Sequence, residues 1–135
     1  MTISNKKLGN TFESDLCDTL YENGFWVHNM TQNKAGQPAD IIAVRNGKAY
    51  LIDAKVCSNN EFPLKRIEEN QSLAMELWSD RGNGQGWFAL KLNDDEVYML
   101  PYILLKAYSH NMTKLPEKDI REYGTAIGKW VNKCK

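Results

Sequence analysis

The feature that most constrains this chain is a two-residue turn, Asn46-Gly47, between two runs rich in β-branched and aromatic residues, 39–45 and 48–56. Asn-Gly suits the left-handed backbone of a type I′ turn, so the two runs form a hairpin of fixed register. In that register Arg45 faces Lys48, and successive pairs continue outward until Asp40 stands opposite Asp53. Both strands are apolar on both faces, with Ile42, Val44 and Leu51 on the aspartate side and Ile41, Ala43, Tyr50 and Ile52 on the other. Such strands belong in the middle of a sheet. Opposed side chains have Cβ atoms about 4.5–5.5 Å apart, where two carboxylates repel unless a cation lies between them. Lys55, two positions beyond Asp53, shares its face. Two readings stay open: a cation-binding centre at the open end of the hairpin, or aspartates fraying into solvent at the strand ends with Lys55 as their ion-pair partner.

Elsewhere, Phe12, Leu16 and Leu20 recur every four positions with Tyr21 beside them, predicting an amphipathic helix over 10–24 that Gly24 ends. Residues 25–30 suit a short strand entering a polar loop, 31–37, closed by Pro38. Ile67, Gln71, Ala74 and Trp78, flanked by Met75 and Leu77, predict a second helix over 64–80. Residues 86–92 and 96–100 flank Asn93-Asp94-Asp95 as another hairpin. Pro101 then opens a short helix through Tyr108, and 117–123 form one more, ended by Gly124. The order α, β, β, β, α, β, β, α, α, with no repeat or linker, predicts one α/β domain, residues 1–135, with helices flanking a mixed sheet.

The 17 basic and 17 acidic residues cancel. That argues against a protein that coats nucleic acid through a basic excess, but not against one whose acidic centre offsets a local basic face. The longest apolar run, 97–105, is broken by Pro101 and falls well short of the roughly 18 residues of a membrane span. The first ten residues are polar and carry Lys6 and Lys7. A cytoplasmic location without a membrane partner is expected. Cys17, Cys57 and Cys134 are widely spaced and lack a C-x-x-C pattern, which fits reduced thiols better than disulfides or structural zinc. Gly82, Gly84 and Gly86 imitate a nucleotide-binding run, yet they follow a predicted helix and precede a predicted strand, the reverse of the phosphate-binding order.

Pro38-Ala39-Asp40 and, after twelve residues, Asp53-Ala54-Lys55 resemble the bipartite signature of the PD-(D/E)XK nuclease superfamily, with one residue inserted after the proline. The continuation, Phe62-Pro63-Leu64-Lys65 and then Gln71, resembles the RecU-type Holliday junction resolvases, as do Gly86-Trp87-Phe88-Ala89-Leu90 and Val97-Tyr98-Met99-Leu100-Pro101. Asp53 stands where those enzymes more often have glutamate. The compact Lys34-Ala35-Gly36 segment looks more like the archaeal resolvases.

The resemblance implies a restriction-endonuclease-like fold and an Mg²⁺- or Mn²⁺-dependent endonuclease. Its substrate would be branched double-stranded DNA, foremost Holliday junctions, cut by a homodimer in recombination or repair. A nuclease for other DNA, of restriction or flap type, and an inactive DNA-binding relative are the alternatives. The resemblance further implies metal ligation by Asp40, Asp53, the Ala54 carbonyl and Glu13, with Lys55 and Gln71 completing the catalytic set. Glu13 has a second reading, because Asn10 three residues before it makes a capping-type pair. Lys34, Arg45, Lys48, Lys65 and Arg66 are candidate phosphate contacts. Lys65 and Arg66 are expected at the start of the second helix, where cations oppose the helix dipole unless an anion lies near.

Overall fold

The computed structural model describes residues 5–30 and 39–134; the predicted loop 31–37, with Lys34, lies outside them. Helix α1 (Asn5–Glu22) leads to β1 (Trp26–Asn29), and β2 (Ile41–Arg45) and β3 (Lys48–Val56) form the hairpin. Both turn residues have positive φ, 54° at Asn46 and 79° at Gly47, the backbone that Asn-Gly tolerates best. Pairing runs from Arg45 opposite Lys48 to Ile41 opposite Ile52, the register the turn predicts.

Beyond the hairpin come β4 (Phe62–Pro63), a 3₁₀ turn (Leu64–Arg66), α2 (Glu69–Asp80), β5 (Gly86–Lys91), β6 (Val97–Pro101) and α3 (Tyr102–Ser109). The chain ends with β7 (Lys114–Leu115), α4 (Glu117–Tyr123), β8 (Thr125–Ala126) and α5 (Ile127–Lys133). The main sheet has the order β1-β2-β3-β5-β6-β8, and β4 pairs with β7 in a separate two-stranded sheet. Among the described strands of the main sheet, only β3 and β5 run parallel. Their connection contains α2, as a parallel crossover requires. This is the expected mixed α/β architecture. No helix among the described residues is long and apolar enough to cross a membrane.

Central position explains why Leu51, Ile52, Asp53 and Ala54 are all buried. On one face Phe12, Leu16 and Leu20 of α1 pack on Ile41, Ala43, Ile52 and Ala54, and Trp130 of α5 closes that core. Trp130 stacks on Phe25 with ring centroids 6.0 Å apart and meets Tyr50 edge-on at 5.2 Å, geometries that aromatic pairs prefer. On the other face Met75 of α2 and Leu105 of α3 cover Leu51, Phe88, Leu90 and Leu100, joined by Phe62 and Leu115 from the small sheet.

Two boundaries and four short elements differ from expectation for local reasons. Helix α1 already includes Asn5, so Asn10 lies inside it rather than at its cap. Helix α2 begins at Glu69, not 64, because Ile67 is extended and Glu68 starts the helix through a capping box with Gln71. The short β4, β7, β8 and the last helix α5 were not predicted. Their segments are too brief for periodicity to register, and tertiary packing makes them regular.

Gly124 does end α4, but not by a left-handed turn: its φ is −78°. Glycine is needed because a Cβ there would lie 2.5 Å from the Ile120 carbonyl oxygen and 2.9 Å from Tyr98 Cβ. Gly124→Ala should therefore lower stability by about 1–3 kcal/mol, the usual range for overpacking. A lower denaturant midpoint at unchanged slope would show it.

Candidate active site at the open end of the hairpin

At the end opposite the turn, β2 stops pairing regularly. The Asp40 N–H donates to the Ile52 carbonyl at 3.2 Å, and the Asp40 carbonyl accepts the Met30 N–H at 2.7 Å. The Asp40 side chain folds over the strand end, its Oδ2 accepting the Ala54 N–H at 2.8 Å. It thus replaces the main-chain acceptor that a longer ladder would have supplied.

Asp53, one residue before, has no exposed surface. No donor among the described residues reaches either of its carboxylate oxygens. Its carboxyl titrates well above the ordinary aspartate range. Burial is the main cause, followed by the hydrogen bond it makes with Asp40 when one of the pair keeps a proton, and by the Asp40 charge. Lys55 pulls the other way, and the Glu13 charge adds to the rise. The two aspartates therefore converge, and the reading in which they fray into solvent is excluded.

Glu13 arrives from α1 on the opposite face of the sheet and is also buried, 8% exposed. Since Asn10 is not a helix cap, the capping reading for Glu13 falls away. The cap belongs to Gln71, whose Oε1 accepts the Glu68 N–H at 3.0 Å. Gln71 is buried at the start of α2 and does not line the cleft beside the acids. That cleft has a volume of about 420 Å³, and its walls include Glu13, Asp40, Ala54, Lys55, Glu61 and Arg66.

The basic candidates separate into two groups. Arg66 is on the cleft wall, donating to the Val56 carbonyl at 2.8 Å and lying 5.6 Å over the Phe62 ring. Lys65 is exposed beside it. Both sit in the 3₁₀ turn rather than at the start of α2, which corrects the expected placement. Arg45 and Lys48 are not brought to the acids. Arg45 is at the turn end, five residues from Asp40, or about 17 Å along a strand. Its guanidinium donates to the carbonyls of Asn23, at 2.9 Å, and Val131, and lies 4.3 Å over Phe25. It ties α1 and α5 to the hairpin. Arg45 and Lys48 lie near the two aspartates in sequence, but an extended hairpin keeps its two ends apart. Glu61, Ser58 and Asn59 line the cleft without having been singled out. They belong to no motif, and only the bend after β3 brings them there.

Among the described residues, no three His, Cys, Asp or Glu side chains are grouped to hold a metal by themselves. The donors available are the Asp40 and Asp53 carboxylates and the main chain at Ala54, with water to complete the shell. That oxygen-only set suits a hard cation, and the donor-less carboxylate of Asp53 is where positive charge is missing.

Acids and a lysine thus meet at the end of a central hairpin. The chain belongs to the archaeal Holliday junction resolvase (Hjc) family, whose model matches residues 4–128. Its fold is similar to that of Hjc, a Holliday junction resolvase from the archaeal hyperthermophile Archaeoglobus fulgidus. The two are 19% identical, the match covers 91% of this chain and 98% of that one, and the TM-score is 0.71. No curated protein matches the chain by sequence. The family match supports a resolvase without supporting the RecU type specifically, and its archaeal character agrees with the compact Lys34-Ala35-Gly36 segment.

A carboxyl with a raised folded pKa keeps its proton at pH values where the unfolded chain has lost it. Without metal, stability should fall as pH rises from the ordinary aspartate value of 3.8 through the raised value of Asp53, and level off above it. Asp53→Asn should remove that slope. At neutral pH in EDTA it should also stabilise the fold by about 1–3 kcal/mol, the usual penalty for a buried acceptor without a donor. Melting temperatures of both proteins across pH would measure both effects.

Proposed function

We propose that this protein is a divalent-metal-dependent, structure-selective endonuclease that resolves Holliday junctions in recombination or repair. The observation that carries the reading is the buried Asp53 carboxylate, donor-less beside Asp40, in a chain of the resolvase family. Mg²⁺ or Mn²⁺ held by Asp40, Asp53 and the Ala54 carbonyl would supply a Lewis acid for the scissile phosphate and lower the pKa of bound water.

The protein's own groups do the rest. The Ala54 N–H fixes the Asp40 carboxylate, so that one ligand is oriented before any substrate arrives. Glu13, coming from α1, adds negative charge on the far side and holds water for the attack. Lys55 stands close enough to Asp53 to favour its ionised form. Its ammonium is placed either to orient the attacking water or to offset charge developing on the phosphate oxygens. Arg66 and Lys65, with Lys34, contact neighbouring phosphates. Gln71 acts at one remove: by starting α2 it fixes the turn that carries Arg66. Resolution needs two symmetric cuts, which a C₂ homodimer provides.

Incubation with a synthetic four-way junction, with and without Mg²⁺, tests this directly. Metal-dependent paired nicks are expected on the junction and little cutting of linear duplex. Asp53→Asn and Lys55→Ala should each slow cleavage at least 100-fold, the scale set by loss of one electrostatic stabiliser, while circular dichroism stays unchanged. Equal cutting of junction and linear duplex, or retained activity in either variant, would overturn the assignment.

A further inference from the structure

The small β4–β7 sheet does more than cover the core. It pairs Pro63 with Lys114, and the Leu64 N–H adds a bond to the Thr113 carbonyl at 3.0 Å. Pro63 and Glu61 both line the acidic cleft, and Lys114 Nζ reaches Glu61 Oε2 at 3.0 Å. A lysine far from the signature motif in sequence is thereby brought to the cleft mouth. We infer that Lys114 is a DNA-phosphate contact of this enzyme, and that Glu61 occupies its ammonium until DNA arrives.

Glu61 is otherwise hard to account for. A third acid, beside Glu13 and Asp40, on the wall of a cleft meant for a polyanion repels the substrate unless a cation masks it. Both partners are partly open to solvent, with side chains 53% and 36% exposed for Lys114 and Glu61. Pairs this exposed contribute little to stability, so exchange of the Glu61 carboxylate for a phosphate oxygen is easy. The ammonium has three donors on a flexible stem and can follow the phosphate without leaving the rim. Lys55 and Arg66 stand on the same cleft, so Lys114, held by Glu61 of the cleft wall, adds a further positive charge beside it.

This inference rests on the nuclease reading, and its test separates the two. Binding of a labelled four-way junction is followed by fluorescence anisotropy in EDTA across a salt series, with Mg²⁺ cleavage assayed in parallel. Lys114→Ala should weaken binding several-fold and reduce the slope of log affinity against log salt by about 0.9, the value for one lost phosphate contact. Lys114→Arg should restore both. Glu61→Gln should tighten binding, and Lys114→Ala should cost more in that background, because the competitor for the ammonium is gone. Lys133→Ala, on α5 toward the turn end, should leave the slope alone. If Lys114→Ala keeps the wild-type slope, or if Glu61→Gln weakens binding, the inference fails while wild-type cutting still upholds the nuclease. If the wild type neither binds nor cuts the junction, both fall.

Discussion

Two carboxyl groups forced together at the end of a buried strand govern this molecule. Asp53 lies on β3, a central strand with hydrogen-bonded neighbours on both sides and a core on each face, so its carboxyl has no exposed surface. Asp40 is held against it by the register of the hairpin and by the Ala54 N–H. The arrangement opposes folding, since burial and like charge both raise the cost of ionising Asp53. Small domains have only about 5–15 kcal/mol of net stability, so the rest of the structure must support a defect of this kind. It does so with an unusually apolar hairpin and cores on both sides. Positive charge beside the two carboxyls would offset the defect.

The two-core architecture also explains how acids from different faces of the sheet come together. Glu13 is carried by α1 on one side, whereas the turn with Arg66 leads into α2 on the other. The sheet separates them everywhere except past the end of β2, where the ladder stops and side chains from both layers meet in one cleft. The site is therefore a property of the sheet's edge in the strand direction. A longer β2 would close it.

The exact balance of charges hides a segregation. Acids gather at the open end of the hairpin, where Lys55, Arg66 and the paired Lys114 stand around them. Arg45, the most conspicuous cation of the hairpin in sequence, is instead consumed by carbonyls and an aromatic ring at the other end. A guanidinium suits that task, with several donors in a plane that can also stack. Arg121 is similarly engaged with Asp94, Glu117 and Tyr98, fastening α4 to the β5–β6 turn. Neither is left to meet DNA, and whole-chain charge could not have separated these uses.

Much was legible from sequence alone. The Asn46-Gly47 turn determined the hairpin, its register and the convergence of Asp40, Asp53 and Lys55, because a two-residue turn leaves a strand pair no freedom to slip. The stripes of Phe12, Leu16 and Leu20 and of Ile67, Gln71, Ala74 and Trp78 pointed to the two longest helices that flank the sheet. Only tertiary structure decided the rest. Glu13 reads as a metal ligand or as the partner of Asn10 in a cap, and Gln71 as a site residue; where each helix lies shows that Gln71, not Glu13, serves in a cap. Strands of two residues, such as β4 and β7, carry no periodicity, and they exist because each has a partner fifty residues away to bond with. Local pattern specifies an element and its faces. Which distant side chain completes a cleft depends on how layers stack around the end of a sheet, and no spacing within one segment records that.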